Sequence, residues 1–201
     1  MILPQSHTLT TRHLNRVFDN TVATYKYYWF LGILDACVKQ GKSRINVWDI
    51  MISMVANAWY PVNYFRLSFG KSESLYDVIL TLQREYNIPI NIGINELTEM
   101  LQTLIQRREV RRLLNFLQMN VPFRFLRPWI DTSDDKQTVL RSQTFENGCL
   151  YKLERIDHIW WVEINPAWLP YLRENYDILT SFAYWGLTNF LQVRNPNVPN
   201  I

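Results

Sequence analysis

The stretch Thr21-Val22-Ala23-Thr24-Tyr25-Lys26-Tyr27-Tyr28-Trp29-Phe30-Leu31-Gly32-Ile33-Leu34-Asp35-Ala36-Cys37-Val38-Lys39 decides the fold. Asp19, Asn20 and Thr21 are residue types that cap a helix start. Val22, Tyr25, Trp29, Ile33 and Cys37 recur at helical spacing, and so do Phe30, Leu34 and Val38. Tyr27, Tyr28 and Leu31 fill much of the remaining side. A helix that is apolar nearly all round belongs at the centre of a domain, where every face meets another element. Gly41 is placed to end it.

Outward from this helix the pattern stays mainly helical. A second helix is expected from about Asn46 to Trp59, stopping before Pro61. Tyr60 to Gly70 reads as irregular and aromatic. Ser72-Glu73-Ser74 opens a third helix that runs to about Tyr86. In the segment 95–118, Asn95 is expected to cap, with Glu96 and Glu99 in the first turn. Its two apolar stripes, Leu97 to Ile105 and Val110 to Leu117, point to opposite sides of one straight helix. A break near Gln106–Glu109 is therefore predicted. Val121 to Trp129, with its prolines and alternation, reads as extended, and Asp131 to Lys136 as a polar loop.

Cys149 to Glu154 and Ile159 to Ile164 read as two strands joined through Arg155-Ile156-Asp157-His158, a β-hairpin. Asn165-Pro166 starts another helix, and a last one spans about Asn175 to Val193. The predicted class is α+β, predominantly α-helical, with a small hairpin near residues 149–164. One domain is expected over 1–194. The tail 195–201, rich in Asn and Pro, is expected to open a linker to a further C-terminal module.

Composition narrows the function classes. Hydrophobic residues are 48% and charged residues 19%, so the chain reads as globular, not disordered. Aromatics are 14%, which points to a ring-rich core. The net charge of +3 is well short of a dedicated nucleic-acid binder, although the first two thirds are net basic and the last third net acidic. Cys37 and Cys149 form no disulfide framework or zinc spacing. The start Met1-Ile2-Leu3-Pro4-Gln5 is not a signal peptide, and the apolar run Tyr27–Val38 is too short to span a bilayer. A cytoplasmic location with no membrane partner is the expectation.

Catalytic signatures are missing. His7, His13 and His158 have no metal-ligand spacing. No glycine-rich phosphate loop or nucleophile elbow occurs. Asp131, Asp134 and Asp135 are of the type that holds a divalent cation, but a solvated loop is the simpler account. Asp157 and Glu163 lack the lysine that a metal-dependent nuclease pair would carry two residues on. No catalytic residue, metal ligand or cofactor is assigned in this chain, and whether it is an enzyme stays open.

The binding signal is basic. Arg107, Arg108, Arg111 and Arg112 cover one side of a helix, opposite Val110, Leu113, Leu114 and Leu117, and Arg124 and Arg127 follow. Arginines on an exposed face grip phosphates. An ordinary solvated face, with Glu109 pairing locally, is the competing account.

Several stretches also resemble a known family. They are Leu14-Asn15-Arg16-Val17-Phe18-Asp19-Asn20-Thr21 with Tyr25-Lys26-Tyr27-Tyr28-Trp29-Phe30, and Ala58-Trp59-Tyr60-Pro61-Val62-Asn63-Tyr64-Phe65 with Leu67-Ser68-Phe69-Gly70. Arg124-Phe125-Leu126-Arg127-Pro128-Trp129, Glu163-Ile164-Asn165-Pro166-Ala167-Trp168 and the run from Asn189 to Ile201 complete the set. The chain resembles the N-terminal region of bacterial HNH-endonuclease-domain proteins. In such proteins a small ββα-metal nuclease module follows, where a His activates water and a divalent ion stabilises the leaving phosphate. No position here matches that catalytic motif, so none is carried over. The resemblance implies a non-catalytic accessory domain that positions or regulates the nuclease on DNA, with a divalent metal only in the nuclease module. The alternative is a protein-interaction or homodimerisation domain acting through segment 59–69, with Trp59, Tyr60, Tyr64 and Phe65 as contacts.

Overall fold

A computed structural model describes residues 3–19, 21–70, 73–199 and 201 of the chain. Asn20 and Ser72, expected at helix starts, lie outside the described residues, as do Met1, Ile2, Lys71 and Asn200. The helices are α1 (Arg12–Asn15), α2 (Tyr25–Leu34), α3 (Val47–Asn63), α4 (Ser74–Glu85), α5 (Ile94–Leu104), α6 (Arg108–Leu126), α7 (Asp135–Ser142), α8 (Trp168–Glu174) and α9 (Tyr176–Arg194). The strands are β1 (Arg44–Asn46), β2 (Tyr151–Ile156) and β3 (Ile159–Ile164). The class is predominantly helical α+β.

Helix α2 is the centre of the molecule. It packs against α3, α6 and α9. Tyr27 through Leu34 are all buried, which explains why its sequence shows no polar face. The helix is shorter than its pattern suggests. It starts at Tyr25, and after Leu34 it widens into a π-helical turn, Asp35–Lys39. Gly41, in the left-handed region at φ +67°, follows that turn.

Four helical expectations are corrected. Helix α3 runs through Pro61 to Asn63. Proline costs it one backbone hydrogen bond, but burial of Trp59 and Val62 holds the last turn in place. The segment 121–126 is not extended: it completes α6, with Pro122 inside the helix. Val121, Phe123, Phe125 and Leu126 are all buried there, and the Phe125 ring stacks on Phe30 at 5.7 Å. Within Asp131 to Lys136, the loop gives way to α7, whose start is capped by Asp134 accepting from Lys136 N at 2.8 Å. Gly93, not Asn95, occupies the cap position of α5. The break between α5 and α6 falls where the two stripes require it.

The hairpin pairs β2 with β3 in register, Tyr151 opposite Ile164 and Ile156 opposite Ile159. Its turn is the dipeptide Asp157-His158, at φ +48° and +66°, the two-residue geometry whose twist suits a hairpin. Strand β1 adds to β3 antiparallel through Ile45 opposite Val162, giving the sheet order β1-β3-β2. At three residues β1 is too short to carry a visible alternation.

Candidate nucleic-acid interface

The six arginines do not form one patch. Helix α6 separates Arg108 from Arg124 by about 24 Å along its axis at 1.5 Å per residue. At the near end, two of the four arginines hold structure. The Arg107 guanidinium lies over the Tyr86 ring, 5.4 Å from its centroid. Arg111 Nε donates to the Ile105 carbonyl at 2.8 Å and Nη2 to Gln106 Oε1 at 3.2 Å, tying down the α5–α6 corner. Arg108 and Arg112 stand exposed beside them.

At the far end of α6 the arrangement is different. Arg124 and Arg127 meet Lys26 of α2 around one cavity of about 220 Å³. Lys26 and Arg127 also line an adjoining cavity of about 400 Å³ with Arg16, Asp19 and Asp131. Arg124 is half-buried and donates Nη1 to Tyr25 Oη at 3.1 Å. Lys26 is half-buried and donates Nζ to the Val17 carbonyl at 3.2 Å. Burial first, then the charges of Arg127 and Arg124, push the Lys26 ammonium below the usual lysine range, with Asp19 opposing. Asp19 is itself engaged by Arg16 at 3.5 Å. Among the described residues no carboxylate lies in ion-pair range of Lys26, Arg124 or Arg127.

The cavity also lies over the start of α2, between Thr21–Ala23 and Tyr25. Glu73 Oε2 accepts from Thr24 N at 2.8 Å. The next backbone N–H groups, of Tyr25 and Lys26, donate to no acceptor among the described residues. Three cations with no carboxylate in ion-pair range, beside a helix N-terminus, are the arrangement that suits an anion. The basic pattern of the sequence does not include Lys26. Its one signal is that it is the sole charged residue from Thr21 to Leu34.

The aromatic segment is also divided. Trp59 is buried, with Nε1 donating to the Ile90 carbonyl at 3.2 Å, and half-buried Tyr60 donates Oη to the Ile92 carbonyl at 2.9 Å. Trp59 is a core residue, which corrects its assignment as a contact, while Tyr60 is part-buried and packs against the core. Tyr64 and Phe65 are 59% and 62% exposed, ring against ring at 5.1 Å.

The acidic candidates have other partners. Glu163 pairs with Lys152 across the hairpin at 3.1 Å, and Asp134 caps α7. Among the described residues no three of His, Cys, Asp and Glu gather as metal ligands. A cavity of about 490 Å³ lies beside the π-helical turn. There Lys39 Nζ meets Asp35 at 2.8 Å, Tyr176 donates to the same Asp35 oxygen at 2.9 Å, and Ser53 Oγ accepts from Asn57 at 3.1 Å. No His or Cys lines it. Among the described residues no helix is long and apolar enough to cross a membrane.

The chain matches no protein-family model, no curated protein and no solved structure.

Proposed function

We propose that this chain is a nucleic-acid-binding accessory domain, of the kind that places or regulates an HNH nuclease, and that it grips backbone phosphate in the Lys26–Arg124–Arg127 cradle. The observation that carries this is the convergence of three cations on one cavity without a paired carboxylate. Holding like charges close together beside part-buried Lys26 and Arg124 costs free energy, and an anion entering the cavity recovers part of it. The motif resemblance supplies the nuclease context, and phosphate contacts would position the domain without reading sequence.

The test is a salt series of binding to fluorescent DNA. The logarithm of the affinity falls linearly with log salt, and Arg124→Glu/Arg127→Glu reduces the slope by about 1 for each phosphate no longer held. Arg108→Glu/Arg112→Glu, at the other end of α6, has the smaller effect. Absence of binding by the parent chain at low salt sinks the proposal.

A second reading rests on Tyr64 and Phe65, whose exposed ring pair suits a protein partner or a second copy of the chain. It predicts concentration-dependent sedimentation that is insensitive to salt and abolished by Phe65→Ser.

A further inference from the structure

An aromatic groove lies beyond the second basic cavity and shares Asp19 with it. Asp19 lines both the basic cavity beneath Arg127 and a groove of about 470 Å³ between α1 and α9. The floor of the groove is Phe18, whose ring sits 4.4 Å from Tyr27 and 5.0 Å from Phe182. Gly186 makes this floor possible: a Cβ there would come 2.7 Å from Tyr27 Cε1. On the rim stands Trp185, 59% exposed on α9. At the far end the Arg194 guanidinium lies over the Phe190 ring, 3.4 Å from its centroid. Arg194 therefore stands at one end of an open aromatic face, and Asp19, shared with the basic cavity, at the other.

We infer that this strip takes a single strand of nucleic acid, with a phosphate in the Lys26–Arg124–Arg127 cradle and an unpaired base stacked on Trp185. The inference rests on the nucleic-acid reading above and adds the strand type. A positively charged track beside exposed rings is the arrangement that holds single strands, because every unpaired base has a face to stack. In a duplex those faces are already covered by neighbouring bases, so the groove has nothing to add there. Charge complementarity favours this occupant over an apolar peptide, since the groove meets, at Asp19, the cavity that Arg16, Lys26 and Arg127 line, and reaches Arg194 at its other end. The strand passes two acidic groups, Asp19 at the junction, which Arg16 engages at 3.5 Å, and Asp131 in the basic cavity.

The experiment measures binding of the full chain to oligothymidylate and to a duplex of equal length at low salt. Trp185→Ala, Trp185→Phe and Arg127→Ala are compared with the parent, and sedimentation is run on each. Trp185→Ala is expected to weaken single-strand binding about tenfold, as removal of one stacking platform does. Trp185→Phe keeps most of the affinity, duplex binding is unchanged, and Arg127→Ala weakens both. If Trp185→Ala binds the single strand like the parent while Arg127→Ala does not, the inference fails and the phosphate cradle stands. Equal weakening on single strand and duplex overturns it too. Failure of the parent to bind either nucleic acid overturns both readings. A parent that self-associates, and stops doing so in Trp185→Ala, also overturns the inference, because the groove is then an interface between copies.

Discussion

Trp29 of α2 and Tyr151 of β2 are joined by a buried hydrogen bond, Nε1 to Oη at 3.1 Å, across 122 positions of sequence. The same hydroxyl donates to the Pro122 carbonyl at 2.6 Å, so one oxygen links the central helix, the sheet and α6. Tyr151→Phe strands a buried indole N–H and removes a donor from a buried carbonyl. Stability should fall by about 2–3 kcal/mol, the cost of leaving such groups unpaired. Urea unfolding by Trp fluorescence checks this, and a decrease under about 0.5 kcal/mol, within the ordinary surface range, contradicts it.

Glu73 predicts a pH dependence. Its carboxyl is buried, with Oε2 on Thr24 N, while Oε1 has no partner among the described residues. Burial raises its pKa to about 7, against the Thr24 hydrogen bonds and the Arg194 charge. The folded-state value exceeds the unfolded one, so the folded state holds a proton that the unfolded state releases. The contribution of this group to stability is greatest below a pH of 4.5, the ordinary glutamate value, and is lost as pH rises through about 7, by up to about 3 kcal/mol. Glu73→Gln keeps an oxygen for Thr24 N and removes the charge. Thermal unfolding at pH 5 and pH 8 should show a flatter profile and a more stable variant at pH 8; an unchanged slope refutes it.

The hairpin turn offers a stabilising change. His158 sits at φ +66°, where a side chain is strained and glycine is not. His158→Gly should add about 0.5–1 kcal/mol, with Asp157 already suited to the first turn position. A lower midpoint in denaturant would show that the imidazole makes an interaction the turn needs.

Both thiols should be inert in the folded chain. Cys37 and Cys149 are buried, and burial pushes each up to about 12. At pH 8 an aromatic disulfide reagent should titrate neither within minutes and both in denaturant. Fast labelling of the native chain would mean that the region around β2 or the π-helical turn opens readily.

Legibility follows the range of the forces. The break between α5 and α6 is readable because two apolar stripes at opposite angles cannot share one straight helix. The hairpin is readable because both strands and their turn are local. Pro122 misleads because a proline inside a helix argues for an end, and only the burial of Phe123 and Phe125 outweighs it. Trp59 misleads in the same way: next to exposed Tyr64 and Phe65 it reads as surface, while its partner, the Ile90 carbonyl, lies 31 residues away. The cradle is half readable. Arg124 and Arg127 stand out, but Lys26 lies about a hundred residues earlier, and only α2 packing on α6 brings it to them.

By itself the sequence determined the helical class, the central place of the apolar stretch within residues 21–39, the hairpin and the basic bias of the first two thirds. These follow from periodicity and composition, which act between near neighbours. Tertiary structure decided which arginines share a cavity, which aromatics are core and which remain open, and where a basic track meets an aromatic groove. Those depend on burial against distant elements, a free energy that no local spacing encodes.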